Sequence, residues 1–252
     1  MIFSPLDQFK IAPIFSANLF GLDFSITNFL IIALLNLFII KSLIFAIKSK
    51  GKNSLFVAPF GWQLILENFY TLIANLLADI ITTSGEKYLQ IMIFLFMFIV
   101  TNNLIGLVPF SFTVTSHMTV TFFLSLSIFI ALNLIGFNKH GFNLFSLFLP
   151  SNTGFFLALL LVPIELVSYI AKPISLGVRL FINLMAGHSL LKVIAWFSWN
   201  ILLLENIKAL VFLVPLAILV ILMGLELGVA LIQAYVFVTL TAIYLNDVEE
   251  LH

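Results

Sequence analysis

The residues of this sequence best suited to chemistry are charged and polar side chains set inside long apolar stretches. Arg179 is the sole arginine among 252 residues, and its apolar stretch also carries Ser175, Asn183 and His188. An arginine stays protonated in essentially any protein environment. Placing that charge near the centre of a bilayer costs ~3 to ~15 kcal/mol, depending on how far the side chain reaches toward water. A permanent charge in this position predicts a part in moving ions.

The spacing of these residues predicts a polar stripe along one helix. At 3.6 residues per turn, five polar or charged side chains point within about 40° of the direction of Arg179 around the helix axis. They are Glu165, Lys172, Ser175, Arg179 and Asn183. His188, nine residues after Arg179, falls on roughly the opposite side. A polar stripe among apolar neighbours indicates a water-filled or protein-lined path rather than contact with lipid.

A second apolar stretch carries Glu226 and Gln233, which are seven residues apart and therefore share a helix face. Spaced carboxylate, imidazole and amide groups suit stepwise proton transfer through water. His117, just before another apolar stretch, is a further candidate relay, with a position among the lipid headgroups as the alternative.

Each candidate also has a simpler structural interpretation. Arg179 could form a structural ion pair with Glu226, which would make Glu226 a paired carboxylate and no relay. His188 could make an interhelical hydrogen bond. Glu165 and Lys172 could neutralise each other locally.

The composition is that of a polytopic membrane protein. Hydrophobic residues make up 62% of the chain and charged residues 9%, against roughly 25% charged in soluble domains. The 11 basic and 11 acidic residues balance, so no nucleic-acid partner is expected. The absence of cysteine excludes disulfides and thiolate metal sites.

No cofactor, metal site or catalytic centre is predicted. His140 and His252 lie in a predicted loop and tail, where no ligand partners accompany them. The sequence contains no nucleophile–base constellation, Walker loop or glycine-rich dinucleotide turn. Ion movement is the function class that remains.

The predicted fold is an all-α integral membrane protein with a single membrane domain, residues 1–252. Five apolar ranges predict membrane-embedded helices: 26–47, 89–108, 118–137, 154–199 and 207–245. The range 62–82 has polar residues on one half of the helical wheel, which predicts an amphipathic helix in the interface.

The last two ranges exceed the ~20 residues that cross a bilayer, which predicts two long, tilted helices packed as a hairpin. Three prolines within these ranges would allow the helices to bend: Pro163, Pro173 and Pro215. Three glycines would allow the backbones of neighbouring helices to approach closely: Gly177, Gly224 and Gly228. Lysines at 48, 50, 52, 87 and 139 fall on one side, which the positive-inside rule makes the inner side. The N-terminus is thereby predicted outside and the C-terminus inside.

At these motifs the sequence resembles a known family. The run from Glu165 to His188, with Ser175-Leu-Gly-Val-Arg179 at its centre, closely resembles the signature of ATP synthase subunit a (subunit 6). The segment from Glu226 through Gln233-Ala-Tyr-Val-Phe is similar to that family's last-helix motif. Thr101-Asn-Asn-Leu-Ile-Gly-Leu-Val-Pro also resembles the end of its third helix.

The resemblance implies a proton-translocating stator subunit that is not catalytic alone. Two aqueous half-channels would lead to and from a rotating c-ring, separated by Arg179 as the essential arginine. The implied partners are the c-ring, the peripheral stalk, other Fo membrane subunits, the lipid bilayer and protons.

The resemblance also implies roles for single residues. Asn183 and Gln233 would be polar neighbours of the arginine, and Glu165 would line the half-channel on the matrix side. His188 followed by Glu226 matches a pair that bacterial members carry in reverse, so the arrangement resembles mitochondrial members. It implies the mitochondrial inner membrane, with the N-terminus in the intermembrane space and the C-terminus in the matrix.

One residue departs from the family pattern, because Ile182 stands where many members have glycine. A self-contained secondary transporter, a respiratory proton-pump subunit and a structural scaffold are the alternative classes. A transporter would show inverted repeats with broken helices, and the sequence contains none.

Overall fold

The structure is a computed structural model, and it describes residues 9–16, 18–19, 22–23, 25–50, 61–81, 85–108, 111–148, 154–203 and 209–249. These residues form six α-helices: α1 (Asn28–Lys50), α2 (Gly61–Ile80), α3 (Gly85–Gly106), α4 (Met118–His140), α5 (Phe155–Leu203) and α6 (Ala209–Glu249). Short 3₁₀ helices cover Val114–Ser116 and Gly141–Phe148.

The prediction of an all-α membrane protein is confirmed. Four helical segments are long and apolar enough to cross a membrane: Gly85–Gly106, Met118–Leu144, Phe156–Ile201 and Leu213–Glu249. In α1 the apolar stretch identified is shorter, Asn28–Ser42. The helix predicted over 62–82 is present as α2, and its interfacial position stays a prediction.

The last two helices are long, as the uninterrupted apolar stretches predicted. α5 has 49 residues and keeps Pro163 and Pro173 inside it, and α6 has 41 residues with Pro215 inside. A proline within a helix removes one backbone hydrogen bond without ending the helix when neighbouring helices support it. The prolines therefore do not divide these apolar runs.

Two short strand pairs precede α1, and the sequence did not predict them. β1 (Pro13–Phe15) pairs antiparallel with β4 (Ile26–Thr27), and β2 (Asn18–Leu19) pairs with β3 (Leu22–Asp23). Strands of two or three residues are too short to produce a recognisable period-two pattern. The strand pairs fix the chain that enters α1.

The chain forms two compact units that each take part of α3, α5 and α6. Unit one consists of 1–58, 97–117 and 181–234, and unit two of 59–96, 118–180 and 235–252. Within unit one, α5 contacts α6 at Asn183 and Gln233. Within unit two, the same two helices are joined at Lys172 and Asp247. Each unit thus contains a side-chain contact between α5 and α6, and the packing of the two whole helices as a hairpin stays a prediction.

Close helix packing in unit two occurs at Gly177. A Cβ atom there would lie 2.6 Å from Ser125 Oγ, 3.0 Å from the Thr121 carbonyl oxygen and 3.2 Å from Phe122 Cα, all on α4. The prediction of close approach at Gly177 is confirmed. It is wrong for Gly224 and Gly228, because no described atom lies within 4 Å of a Cβ at either position. A small residue permits close approach but does not supply the neighbour.

We expect Gly177→Val to destabilise unit two by about 1 to 3 kcal/mol, the usual cost of overpacking. The added side chain would meet backbone atoms of α4, which cannot move aside as a flexible side chain can. The measurement is the thermal stability of the detergent-extracted protein. Gly154→Val is the matched control, since a Cβ at Gly154 has no described neighbour within 4 Å. Equal melting temperatures for both variants would contradict the packing argument.

Candidate functional site

In unit one, the predicted polar residues Asn183 and Gln233 are in direct contact. The Asn183 side-chain amide donates a 2.8 Å hydrogen bond to Gln233 Oε1. Gln233 is 6% exposed, and its Nε2 has no hydrogen-bond partner among the described residues. A buried amide whose N–H groups have no described partner can donate a hydrogen bond to an acceptor that comes near it. The pair therefore joins α5 to α6 and leaves one polar group available.

Glu226 lies against the backbone of α5 at Gly187. A Cβ at position 187 would lie 2.8 Å from Glu226 Cδ, so a larger residue there would require the Glu226 side chain to move. Glu226 Oε2 is buried and has no hydrogen-bond partner in the described part of the chain. A carboxyl group in that state can exchange a proton with any partner that reaches it.

The residue after Gly187, His188, faces another glycine. A Cβ at Gly106, the last residue of α3, would lie 3.4 Å from His188 Nε2 and 3.1 Å from Leu184 Cδ2. The imidazole therefore lies close to the α3 backbone at this point. Glycines at 106 and 187 make room for an imidazole and a carboxyl near one turn of α5.

Buried amides in α1 and α3 extend this polar region, and the sequence reading did not select them. Asn36 Nδ2 donates to Asn102 Oδ1, and Asn103 Nδ2 donates to the Ala230 carbonyl oxygen at 3.2 Å. All three asparagines are at most 3% exposed. Asparagines within otherwise apolar helices could have indicated these contacts in the sequence, because a buried amide needs hydrogen-bond partners.

His117 lies between the 3₁₀ helix Val114–Ser116 and α4, inside an aromatic cluster. Its ring centroid is 6.0 Å from that of Phe29 and 5.2 Å from that of Phe112. Burial lowers the pKa of His117 below its ordinary value, because the charged form loses hydration. A neutral imidazole carries a proton on one nitrogen and can accept one at the other, so it can still act as a relay.

Arg179 belongs to unit two, where it is exposed. Within the part of the chain that the structure describes, its guanidinium makes no hydrogen bond or ion pair with a carboxylate. Glu226, the partner in the alternative structural ion pair, belongs to unit one, so that alternative stays a prediction.

One ion pair of unit two joins Lys172 to Asp247, at 3.1 Å between Nζ and Oδ2. The same Nζ lies 4.7 Å from the Tyr244 ring centroid and 5.7 Å from that of Tyr169. The expectation of mutual neutralisation between Glu165 and Lys172 is wrong, because Asp247 and the aromatic rings surround the lysine. The sequence spacing of Glu165 and Lys172 placed them on one face of α5, but it could not show that the Asp247 carboxylate of α6 contacts the lysine.

Glu165 keeps one carboxyl oxygen, Oε2, buried and without a hydrogen-bond partner among the described residues. One turn along α5, the Tyr169 hydroxyl donates to Asn133 Oδ1 of α4 at 2.5 Å. Ser175 is exposed, like Arg179 one turn further on. The predicted site residues thus fall into two groups: His117, Asn183, His188, Glu226 and Gln233 in unit one, and Glu165, Ser175 and Arg179 in unit two.

Across the described ranges, no cluster of three histidine, cysteine, aspartate or glutamate side chains could hold a metal ion. The buried groups without a described partner are instead single carboxyls, amides, hydroxyls and an imidazole. Of these, the carboxyls and the imidazole can take up and release a proton, whereas the amides and hydroxyls can only offer hydrogen bonds.

Comparison with known proteins gives consistent matches along the whole chain. The family model described as "ATP synthase A chain" matches residues 27–246. The sequence is 49% identical to ATP synthase subunit a of Pylaiella littoralis over 100% of both chains. It is 47% identical to that of Chondrus crispus, covering 100% of this chain and 98% of the relative. It is 44% identical to ATP synthase subunit a of Brassica napus, covering 99% of this chain and 97% of the relative.

Proposed function

The chain belongs to the ATP synthase A chain family, and from this we propose that it is the proton-translocating stator subunit of the rotary ATP synthase. In this role it provides two aqueous half-channels to and from the c-ring, separated by Arg179. The chain itself carries out no reaction on a nucleotide, and it couples proton flow to ATP synthesis in the assembled complex. Its obligatory partners are the c-ring, the peripheral stalk and other Fo membrane subunits.

The observation that carries the proposal is the arrangement around α5 and α6 in unit one. Three predicted polar residues are held there by direct contacts: Asn183 on Gln233, and Glu226 against Gly187. The unpartnered Glu226 Oε2 supports a group that takes up and releases a proton, and the unpartnered Gln233 Nε2 supplies a hydrogen-bond donor near that path. We assign this group, with His188 and His117, to proton entry.

The groups of unit two suit proton release. Glu165 has a buried oxygen without a described partner, and Lys172 and Asp247 form an ion pair close to Tyr244. Polar groups that do not face lipid mark ion pathways in membrane proteins. We assign Glu165 to the release half-channel on the matrix side.

Arg179 is the separating charge between the two paths. Its exposure and its lack of an ion pair in the described chain support a role toward another subunit. A fixed cation favours the ionised form of a carboxylate that passes it, and it repels a proton that would move directly between the half-channels. A membrane potential supplies about 2.3 kcal/mol per charge for each 100 mV, so a few protons can drive a rotary step.

We place the protein in the mitochondrial inner membrane, with the N-terminus in the intermembrane space and the C-terminus in the matrix. The His188-then-Glu226 order and the excess of lysine in the loops of one side support this placement.

The proposal is testable through a single introduced cysteine, since the chain has none of its own. We expect Ser175→Cys, carrying a photoactivatable maleimide in the assembled complex, to cross-link to a small subunit with a membrane-embedded carboxylate. Ser175 is exposed one turn before Arg179, so its surroundings report on the arginine. The adduct is identified by mass spectrometry.

The control is Thr121→Cys on α4, where the native side chain is 0% exposed. This position should give no adduct with another subunit. Cross-links from position 175 to lipid alone would count against a rotating partner at Arg179.

A further inference from the structure

An N-terminal ring lies against one of the candidate entry residues of unit one. Residues 10–16 are exposed, whereas the side chain of Phe9 is only 7% exposed. One buried ring at the start of an exposed run indicates a defined docking position, because burying an aromatic side chain is a large favourable contribution.

The Phe9 ring docks on the face of α5 that carries His188 and Lys192. Its centroid lies 5.9 Å from that of the His188 imidazole, with 59° between the ring planes. Lys192 Nζ lies 6.0 Å from the same centroid. Residues four apart are neighbours on a helix surface, so a single ring spans both side chains. Tilted aromatic rings at this distance attract each other, and a cation over the face of a ring is attracted to that ring.

Asn28, the first residue of α1, fixes the backbone that follows Phe9. Its Oδ1 accepts a 3.2 Å hydrogen bond from the Ala12 backbone N–H, and its Nδ2 donates a 3.1 Å hydrogen bond to the Lys10 carbonyl oxygen. The backbone N–H of Asn28 also donates to the Ala12 carbonyl oxygen at 3.2 Å. Three hydrogen bonds from one residue tie this segment to α1, and the β1–β4 pairing continues the attachment. The position of Phe9 is therefore set by the helix, although the segment itself is exposed.

We propose that Phe9 is a positioning residue for proton entry, which covers His188 and holds its imidazole in place. This inference rests on the proposed function, in which His188 belongs to the entry path. The imidazole also lies close to Gly106 of α3, which has no side chain to contribute to the contact. In this proposal the Phe9 ring supplies the side-chain restraint and limits the access of water to the imidazole.

The first measurement is the rate at which diethyl pyrocarbonate modifies His188 in the assembled ATP synthase, followed by peptide mass spectrometry. We expect Phe9→Ala to raise this rate by about three- to tenfold, which corresponds to the loss of one aromatic contact. Phe9→Tyr retains the ring and should keep the wild-type rate. Phe15→Ala is the matched control, because Phe15 is 68% exposed in the same segment. The modification rate of His117 provides an internal reference.

The second measurement is ATP synthesis driven by a proton gradient. We expect a fall of about threefold or more in Phe9→Ala, since a displaced proton carrier reacts more slowly, and full activity in Phe9→Tyr. An unchanged His188 modification rate in Phe9→Ala would overturn the inference and leave the proposed function untouched. A raised rate with wild-type synthesis would also overturn it, because Phe9 would then cover His188 without positioning it. Failure of the proposed function itself would show in Arg179→Ala, whatever the modification rates.

Discussion

Arg179→Ala is expected to abolish proton-coupled ATP synthesis while the complex still assembles. The guanidinium is exposed and forms no ion pair in the described chain, so its removal leaves no buried partner charge uncompensated. Folding and assembly should therefore persist. In the proposed mechanism the charge acts on a carboxylate of the c-ring, and removing such a preorganised charge costs at least about a hundredfold in rate.

The measurement is gradient-driven ATP synthesis by the reconstituted complex, with assembly followed on native gels. Ser127→Ala is the matched control: its hydroxyl is exposed on α4 and donates to the Leu124 carbonyl oxygen of the same helix at 2.8 Å. That variant should synthesise ATP at the wild-type rate. Normal coupling in Arg179→Ala would reject the separating role and favour a structural scaffold.

Glu226→Gln should slow proton flux by about a hundredfold, the lower end of what a positioned acid–base group contributes. Glutamine has nearly the same shape, so the packing against Gly187 is retained. Its amide cannot take up and release a proton at neutral pH. The change thus separates the proton-carrying capacity of the group from its packing, and flux is measured as acidification of vesicles driven by ATP hydrolysis.

Glu86→Gln supplies the comparison, since Glu86 is an exposed carboxylate in the first turn of α3. It should leave the flux unchanged. Glu226→Asp keeps an ionisable group and should recover part of the rate. A wild-type flux in Glu226→Gln would make Glu226 a structural carboxylate.

The sequence was sufficient for the membrane class and for the helices. Long apolar runs require backbone groups to be satisfied within helices, so α3 to α6 were predicted with ends displaced by a few residues. The two strand pairs before α1 were missed because they are too short to carry a period. The resemblance implied that Asn183 and Gln233 are polar neighbours of the arginine, which stays a prediction; the hydrogen bond between the two amides came from the structure.

The sequence could not predict which residue each charged side chain contacts. Helical spacing put Lys172 near Glu165, but the lysine binds Asp247, 75 residues later. Likewise, Gly177 has a helix against it and Gly224 has no neighbour among the described residues, although both are glycines in apolar helices. Periodicity defines which face of a helix a residue occupies, but not which other helix comes to that face.

What the sequence determined by itself is that Arg179 is a permanent charge on an apolar helix, in a motif of the ATP synthase A chain family. The charge and its helix follow from residue chemistry and local spacing, and the motif follows from the resemblance to the family. The tertiary structure decided that the arginine is exposed without an ion pair in the described chain, that Glu226 lies on Gly187, and that Phe9 covers His188. These contacts join residues from 39 to 179 positions apart (226 − 187 and 188 − 9). Only the packing of helices against one another brings such distant residues together, and the pattern within any one helix cannot specify it.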